Sequence, residues 1–359
     1  MLSIRNISGE EVVKVSQEDV DKLASAHRGA VRGVEQLLGP LLGHPSCRLK
    51  LLCGARVMRQ DASFELPCEL QVVVNDFCSA TAEDVKRLVD ASRENHAGQV
   101  EALLRRPQDP DLVDDHGKTA LTMAAKDGAL DTVKLLLDAK ADVNKTTEDG
   151  IGASPFLFAV DAGHLAVVRL LVEMGADTDS ATRSGETAIF RAAAKGHVAV
   201  VQLLLGMGAD KDKATNNGRT PVFIAAAKGH VEVVELLLRM RADKDKANNE
   251  GATPVVTAAA EGHVEVVQLL LDMGADKEKA MNNGATPVLA AAGKGQVEVV
   301  QLLLAMDADR DKPMINGATP VFIAAVQGHV SVVRLLLESK ADKDKAIKGL
   351  EQEGVVCSK

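Results

Sequence analysis

Residues 216–247 read NNGRTPVFIAAAKGHVEVVELLLRMRADKDKA, and the reading of this stretch decides the fold. Thr220 can cap a helix, with Pro221 at its first position, where a missing N–H costs nothing. Ala225, Ala226 and Ala227 keep that short helix thin, so that neighbouring helices can approach closely. Gly229 breaks it, and a second helix starts near Val231. Val233, Val234, Leu236, Leu237 and Leu238 give this second helix an apolar face too wide for one helix to hide.

The same grammar recurs along the chain. The turn glycine returns at Gly185, Gly218, Gly251, Gly284 and Gly317, each 33 residues after the last. Earlier copies stand at Gly152 and Gly117, where TTEDGIG adds two residues to the spacing. A helix pair that cannot bury its own face is stable when stacked on copies of itself, which predicts a solenoid. GATPVVTAAAEGHVEVVQLLLDMGAD, residues 251–276, resembles the ankyrin repeat in its turn, Thr-Pro start, Gly-His break and Leu-Leu-Leu helix. Seven such units span 114–346. One departure is consistent: Phe223, Val256, Leu289 and Phe322 stand where the family often has His. That predicts a greasier seam between repeats.

Residues 80–113 read as a degenerate capping unit, with Val85, Leu88, Val100, Leu103 and Leu104 making two apolar faces. After repeat seven, the tail 347–359 is expected to shield the last unit with Ile347, Leu350, Val355 and Val356.

The first 79 residues follow another pattern. Leu2, Ile4 and Ile7, a turn at Gly9, then Val13 and Val15 suggest a hairpin. Val31, Val34, Leu38 and Leu41 keep helical spacing, with Gly39-Pro40 as a stop. A strand through Leu51 and Leu52 turns at Cys53-Gly54, and LQVVVND makes a last strand. The order, and the spacing of CRLKLLCGARVMRQDASFELPCELQVVVND, is similar to the ubiquitin-like β-grasp. The expected class is therefore an α+β N-terminal β-grasp followed by an all-α ankyrin solenoid with β-hairpin loops. The resemblance implies Ile7, Leu52 and Val72 (or Val73) as counterparts of a recognition surface. No Gly-Gly tail follows Val74, which argues against conjugation to other proteins.

Bulk properties narrow the function. The formal net charge of −9 favours neither nucleic acid nor an anionic membrane. The first residues have no secretory pattern, and no stretch approaches a membrane span. Five cysteines without a C-x-x-C pair suggest reduced thiols in the cytoplasm, or the nucleus. His164, His197, His230, His263 and His329 follow Gly at one point of the repeat, a whole repeat apart, so they cannot converge on a metal. A cap or backbone hydrogen bond explains them. In GADKDKATNNG, residues 208–218, acids alternate with lysines, and strand alternation predicts Lys211 and Lys213 on one side with Asp212 on the other, a solubilising edge. Phosphate loops, nucleophile elbows and zinc-protease motifs are absent, so neither cofactor nor metal is implied.

The expected function is a non-enzymatic scaffold or adaptor, monomeric, gripping a protein of unknown identity. The alternative has the N-terminal domain docking ubiquitin or proteasome-type receptors, which would link cargo to degradation. A nucleic-acid-binding or enzyme-associated subunit is the remote third. The ankyrin resemblance implies a concave contact surface made of tips and inner helices. At the tips its counterparts are His116, Lys118, Arg183, Ser184, Glu186, Asn216, Asn217, Arg219, Asn249, Glu250, Asn282 and Asn283. On the inner helices they are Lys195, Lys228, Glu261 and Lys294. Ile151 and Phe156 belong to the less repetitive second and third units. The chain has neither Trp nor Tyr, two of the three residue types enriched in interface hot spots.

Overall fold

The computed structural model describes residues 80–105, 109–150, 152–343 and 345. Nearer the start it describes 2–5, 11–15, 18–19, 21–22, 34–35, 37–38, 41–42, 49–53, 56–58 and 68–74. They fall into two compact units, residues 1–159 with 166–177, and residues 160–165 with 178–359.

Among its described residues the first unit holds five strands: β1 (Leu2–Arg5), β2 (Glu11–Val15), β3 (Leu49–Cys53), β4 (Arg56–Val57) and β5 (Cys68–Val74). Their order across the sheet is β2-β1-β5-β3-β4. β5 is central, parallel to β1 and antiparallel to β3. Successive strand residues face opposite sides, and Ile4, Leu49, Leu51, Leu70 and Val72 are all buried. Val34 and Leu38, at helical spacing, are buried too, whereas Leu41 is exposed and leaves the predicted apolar face. The register corrects one expectation: Val72 points inward with Leu70, so it cannot belong to a recognition surface, and Gln71 between them is exposed. Ile7 lies outside the described residues. Leu52 pairs through its backbone with Val57 and Gln71, and its side chain is likewise outside them.

After the sheet come helix pairs. α1 (Ala82–Arg93) and α2 (Ala97–Leu104) form the degenerate unit, and a reciprocal Thr81–Asp84 capping box opens α1. Val85, Leu88, Val100 and Leu104 are buried, as their spacing predicts. The next pairs are α3 (Ala120–Lys126) with α4 (Leu130–Asp138) and α5 (Pro155–Ala162) with α6 (Leu165–Glu173). Then come α7 (Ala188–Lys195) with α8 (Val198–Gly206), α9 (Pro221–Lys228) with α10 (Val231–Arg239), and α11 (Pro254–Glu261) with α12 (Val264–Asp272). The last are α13 (Pro287–Lys294) with α14 (Val297–Ala305), and α15 (Pro320–Val326) with α16 (Val330–Glu338).

The ends of α9 follow from its sequence. The hydroxyl of Thr220 accepts from the Phe223 N–H, and Gly229 closes α9 in the left-handed region at φ 74°. Inner helices α7, α9, α11, α13 and α15 stack on one another in order, and outer helices α8 to α16 do the same. Ala225 and Ala226 are wholly buried in this stack, and so are Val234 and Leu237 of α10. A buried Val or Leu contributes about 1.5–3 kcal/mol, supplied here by the neighbouring repeats. The predicted apolar seam is present: Phe223, Ala252 and Val256 form one cluster, with Met281 and Ala290 packed against it.

The Asp-Lys segments are a correction. Among the described residues, 210–213 form turns and no strand, and Lys211 lies 3.5 Å from Asp212 instead of pointing away from it. Of the expected hairpin loops, the strand-like element seen is the isolated Ala181–Thr187 bridge.

Candidate functional site

Three hydrogen-bond ladders decide which surface residues are free to meet a partner. The first runs along the turn tips. The Asn216 N–H donates to the Ser184 carbonyl and its side-chain amide to the Arg183 carbonyl, each at 3.0 Å. Asn249 repeats this on Asn217 and Asn216, and Asn282 on Glu250 and Asn249. The Asn249 Oδ1 lies only 2.5 Å from where a Cβ on Gly218 would stand, so that glycine serves both a φ of 78° and a close approach. Asn216, Asn249 and Asn282 are exposed, but their amides already bind the preceding tip. Ile315 occupies the next rung and keeps only the backbone bond, to Asn283.

The second ladder uses the histidines. No side-chain cap forms at His197, His230, His263 or His329. Instead each Nε2 reaches back 36 residues to an inner-helix carbonyl: His197 to Asp161 at 3.0 Å, His230 to Ala194 and His263 to Ala227 at 3.1 Å, and His329 to Gly293 at 3.2 Å. A carbonyl only accepts, so each Nε2 carries the proton. Gln296 fills the same role through its amide, donating to Ala260 at 3.2 Å. The ring of His263 sits 2.7 Å from the Cβ that Gly229 lacks, which is why Gly precedes the next repeat's His ring in space as well as its own His in sequence. Beside the apolar seam, the Gly-His position thus supplies a polar link between repeats.

The third ladder is the Asp-Lys turn. Asp210 accepts from the N–H of Asp212. The Asp212 carboxylate in turn accepts from the Asp243 N–H of the next repeat at 2.8 Å, and the Lys246 ammonium donates to the Asp212 carbonyl at 3.0 Å. Asp245, Glu278 and Asp311 repeat the carboxylate rung on Asp276, Asp309 and Asp342. In the first unit, Asp111 serves Asp142, and Asn144 serves Asp177. Burial pushes the Asp111 carboxyl above the ordinary value, and the N–H of Asp142 offsets this in part. The alternation read as a solubilising edge is therefore a set of inter-repeat bonds.

What remains is the inner-helix face. Arg183 and Ser184 are exposed at one tip, Asn217 and Arg219 at the next, and Glu250 and Asn283 beyond. Lys195, Lys228, Glu261 and Lys294 are exposed at the ends of four successive inner helices. Phe156 is wholly buried and makes core, which corrects its assignment to a contact surface. Ile151 lies outside the described residues.

Arg191 is the feature that sequence reasoning missed. It bonds Asp161 at 3.0 Å and Glu186 at 3.1 Å, with only 17% of its side chain exposed. Its column otherwise holds Met123, Phe158, Ile224, Thr257, Ala290 and Ile323, so a lone arginine among them was the available signal. In the first unit, His116 and Lys118 line a groove of about 280 Å³ with Lys86, Val89 and Arg93 of α1.

A family model for ankyrin repeats in three copies matches residues 88–182, 141–215, 189–281 and 277–347, well over half the chain. The chain belongs to the ankyrin-repeat family. Among curated proteins it is similar to ankyrin repeat domain-containing protein 63 of Mus musculus, 34% identical over 100 residues. That match takes in 27% of this chain and 25% of the relative's length. Ankyrin repeats generally mediate protein–protein interaction, and no described helix is long and apolar enough to cross a membrane.

Proposed function

We propose that this protein is a non-enzymatic scaffold that grips a protein partner on the inner-helix and tip face of its repeats. The observation that carries this reading is the division of polar groups. The turn amides, the helix-start histidines and the Asp-Lys carboxylates are engaged between repeats, whereas among the described residues the exposed side chains of Asn217, Arg219, Lys195 and Lys228 bond to no neighbouring repeat. The boundaries proposed are 1–79, 80–113, 114–346 and 347–359.

Photo-crosslinking residues introduced at Asn217 and Lys195 of the full chain test the proposal, with Met240 on the outer side as the control. Protein adducts from the first two positions and none from Met240 are expected. Adducts from Met240 alone overturn it.

The β-grasp reading of residues 1–79 is also retained as a proposal, supported by the central β5 parallel to β1. The link to degradation is weakened, because Val72 of its expected surface is core.

A further inference from the structure

The inner-helix face of the second unit is uneven in charge. Repeats three and four bring Arg183, Arg191, Lys195, Arg219 and Lys228 to it, and the carboxylates among them are Asp161 and Glu186. Both of those acids are engaged by Arg191, at 3.0 and 3.1 Å. Repeat five places two acids, Glu250 and Glu261, on the same face. Among the described residues, Arg183, Lys195, Arg219 and Lys228 form no ion pair. Some cations elsewhere in this unit are paired: Arg239 with Glu235 at 2.6 Å, Lys211 with Asp212 at 3.5 Å and Lys312 with Glu278 at 3.6 Å. Arg219 is further held by the Phe223 ring, 6.0 Å from its guanidinium carbon.

We propose that repeats three and four bind an acidic protein segment, extended along the stacking direction, with carboxylates at every third residue. The inference rests on the scaffold reading above and names the chemistry of its partner. Packed helices lie roughly 8–10 Å apart, so equivalent residues such as Lys195 and Lys228 are separated by about one such step. An extended chain advances about 3.3 Å per residue, so three residues cover the step. Four exposed cations outside any ion pair gather on this face of a protein whose net charge is −9, which makes it complementary to an acidic segment. Glu250 and Glu261 bound the strip and repel a segment that stays acidic into repeat five. A long polyanion such as DNA would run onto those acids, which favours a short peptide segment over nucleic acid.

The test is fluorescence anisotropy of the full chain with a labelled peptide of four Glu-Gly-Ser units. Two controls accompany it: a peptide of the same composition with its glutamates clustered, and a single-stranded oligonucleotide of matched charge. The spaced peptide is expected to bind more tightly than either control. Arg219→Glu with Lys228→Glu is expected to weaken it at least tenfold, and Lys211→Glu with Lys244→Glu to change it less than twofold. A thermal melt of each variant confirms folding, and the single changes Arg219→Gln and Lys228→Gln replace any pair that unfolds. Equal losses in the two charge-reversed pairs, or an oligonucleotide that binds as tightly as the spaced peptide, overturn the proposal. If the peptides do not bind while crosslinking from Asn217 and Lys195 still captures protein, the acidic segment is overturned and the scaffold reading stands.

Discussion

Asn216 and Arg219 lie three residues apart on one turn, both exposed, and their side chains are used differently. The amide of Asn216 binds the tip before it, while the guanidinium of Arg219 rests over Phe223 and enters no ion pair among the described residues. Exposure alone therefore does not separate the surface that holds the stack together from the surface available to a partner. The separation comes from asking where each polar group's hydrogen bonds go. The seam is repeated nearly unchanged through repeats four to six, whereas Arg183, Lys195, Arg219 and Lys228, outside any ion pair, gather on repeats three and four.

The largest expected effect tests the seam at its tightest contact. Gly229→Ala adds a Cβ 2.7 Å from the His263 ring at a left-handed φ, and should cost about 3 kcal/mol in a urea melt. Gly208→Ala has the same backbone penalty but open space around it, and should cost about 1 kcal/mol. Equal losses would remove the ring from the account.

Next in size, His263→Ala loses the bond to Ala227 and the ring's packing, an expected cost of about 2 kcal/mol. His263→Gln should recover most of it, because Gln296 makes the equivalent bond. Asp245→Ala should cost about 1 kcal/mol through the lost Asp276 rung, and Asp245→Asn less, since Asn144 accepts in the same way at Asp177. If Lys244→Ala matches Asp245→Ala in a melt, the ladder is not what the acid is for.

Smaller effects lie at the repeat ends. Lys140, Arg241, Asp307 and Lys340 hold φ between 58° and 66°, where Gly175, Gly208 and Gly274 stand in other repeats. Arg241→Gly should stabilise by about 0.5–1 kcal/mol, and amides at these four boundaries should exchange faster than at the glycine ones. Uniform protection along the array would contradict this.

The smallest is a pH effect. Asp111 is raised by burial when folded, so its stabilising contribution is present below the ordinary carboxylate range and is lost as pH rises through the raised value. Asp111→Asn should therefore raise Tm near neutral pH, with the gain shrinking as acid protonates the native carboxyl. A gain that persists unchanged in acid would assign the effect to something other than charge.

Much of the array was legible because its signals are local. Thr220, Pro221 and Gly229 state their helix ends within ten residues, and the left-handed sites at Arg241 and Asp307 follow from glycine at equivalent positions. The ladders were not legible in the same way. Asp212 to Asp243 and His230 to Ala194 are contacts across 31 and 36 residues, and they depend on how one repeat is offset against the next. Reading DKDK as a strand failed for that reason: the acid's partner is in the following turn. Val72 was misplaced by a different ambiguity. In an unbroken apolar run such as VVV no alternation shows which residue faces in, and the pairing with β3 decides it. Phe156 was an individual residue in sequence and a core residue in space.

The central claim is that seam and strip are separate surfaces, one spent on the stack and one open to a partner. Amide hydrogen exchange of the full chain, with and without the spaced acidic peptide, tests it most directly. The account predicts added protection at the tips 183–186 and 216–219 and at the ends of α7 and α9, with none at the turns 210–213 and 243–246. Added protection at those turns, or confined to repeats five to seven, would contradict it.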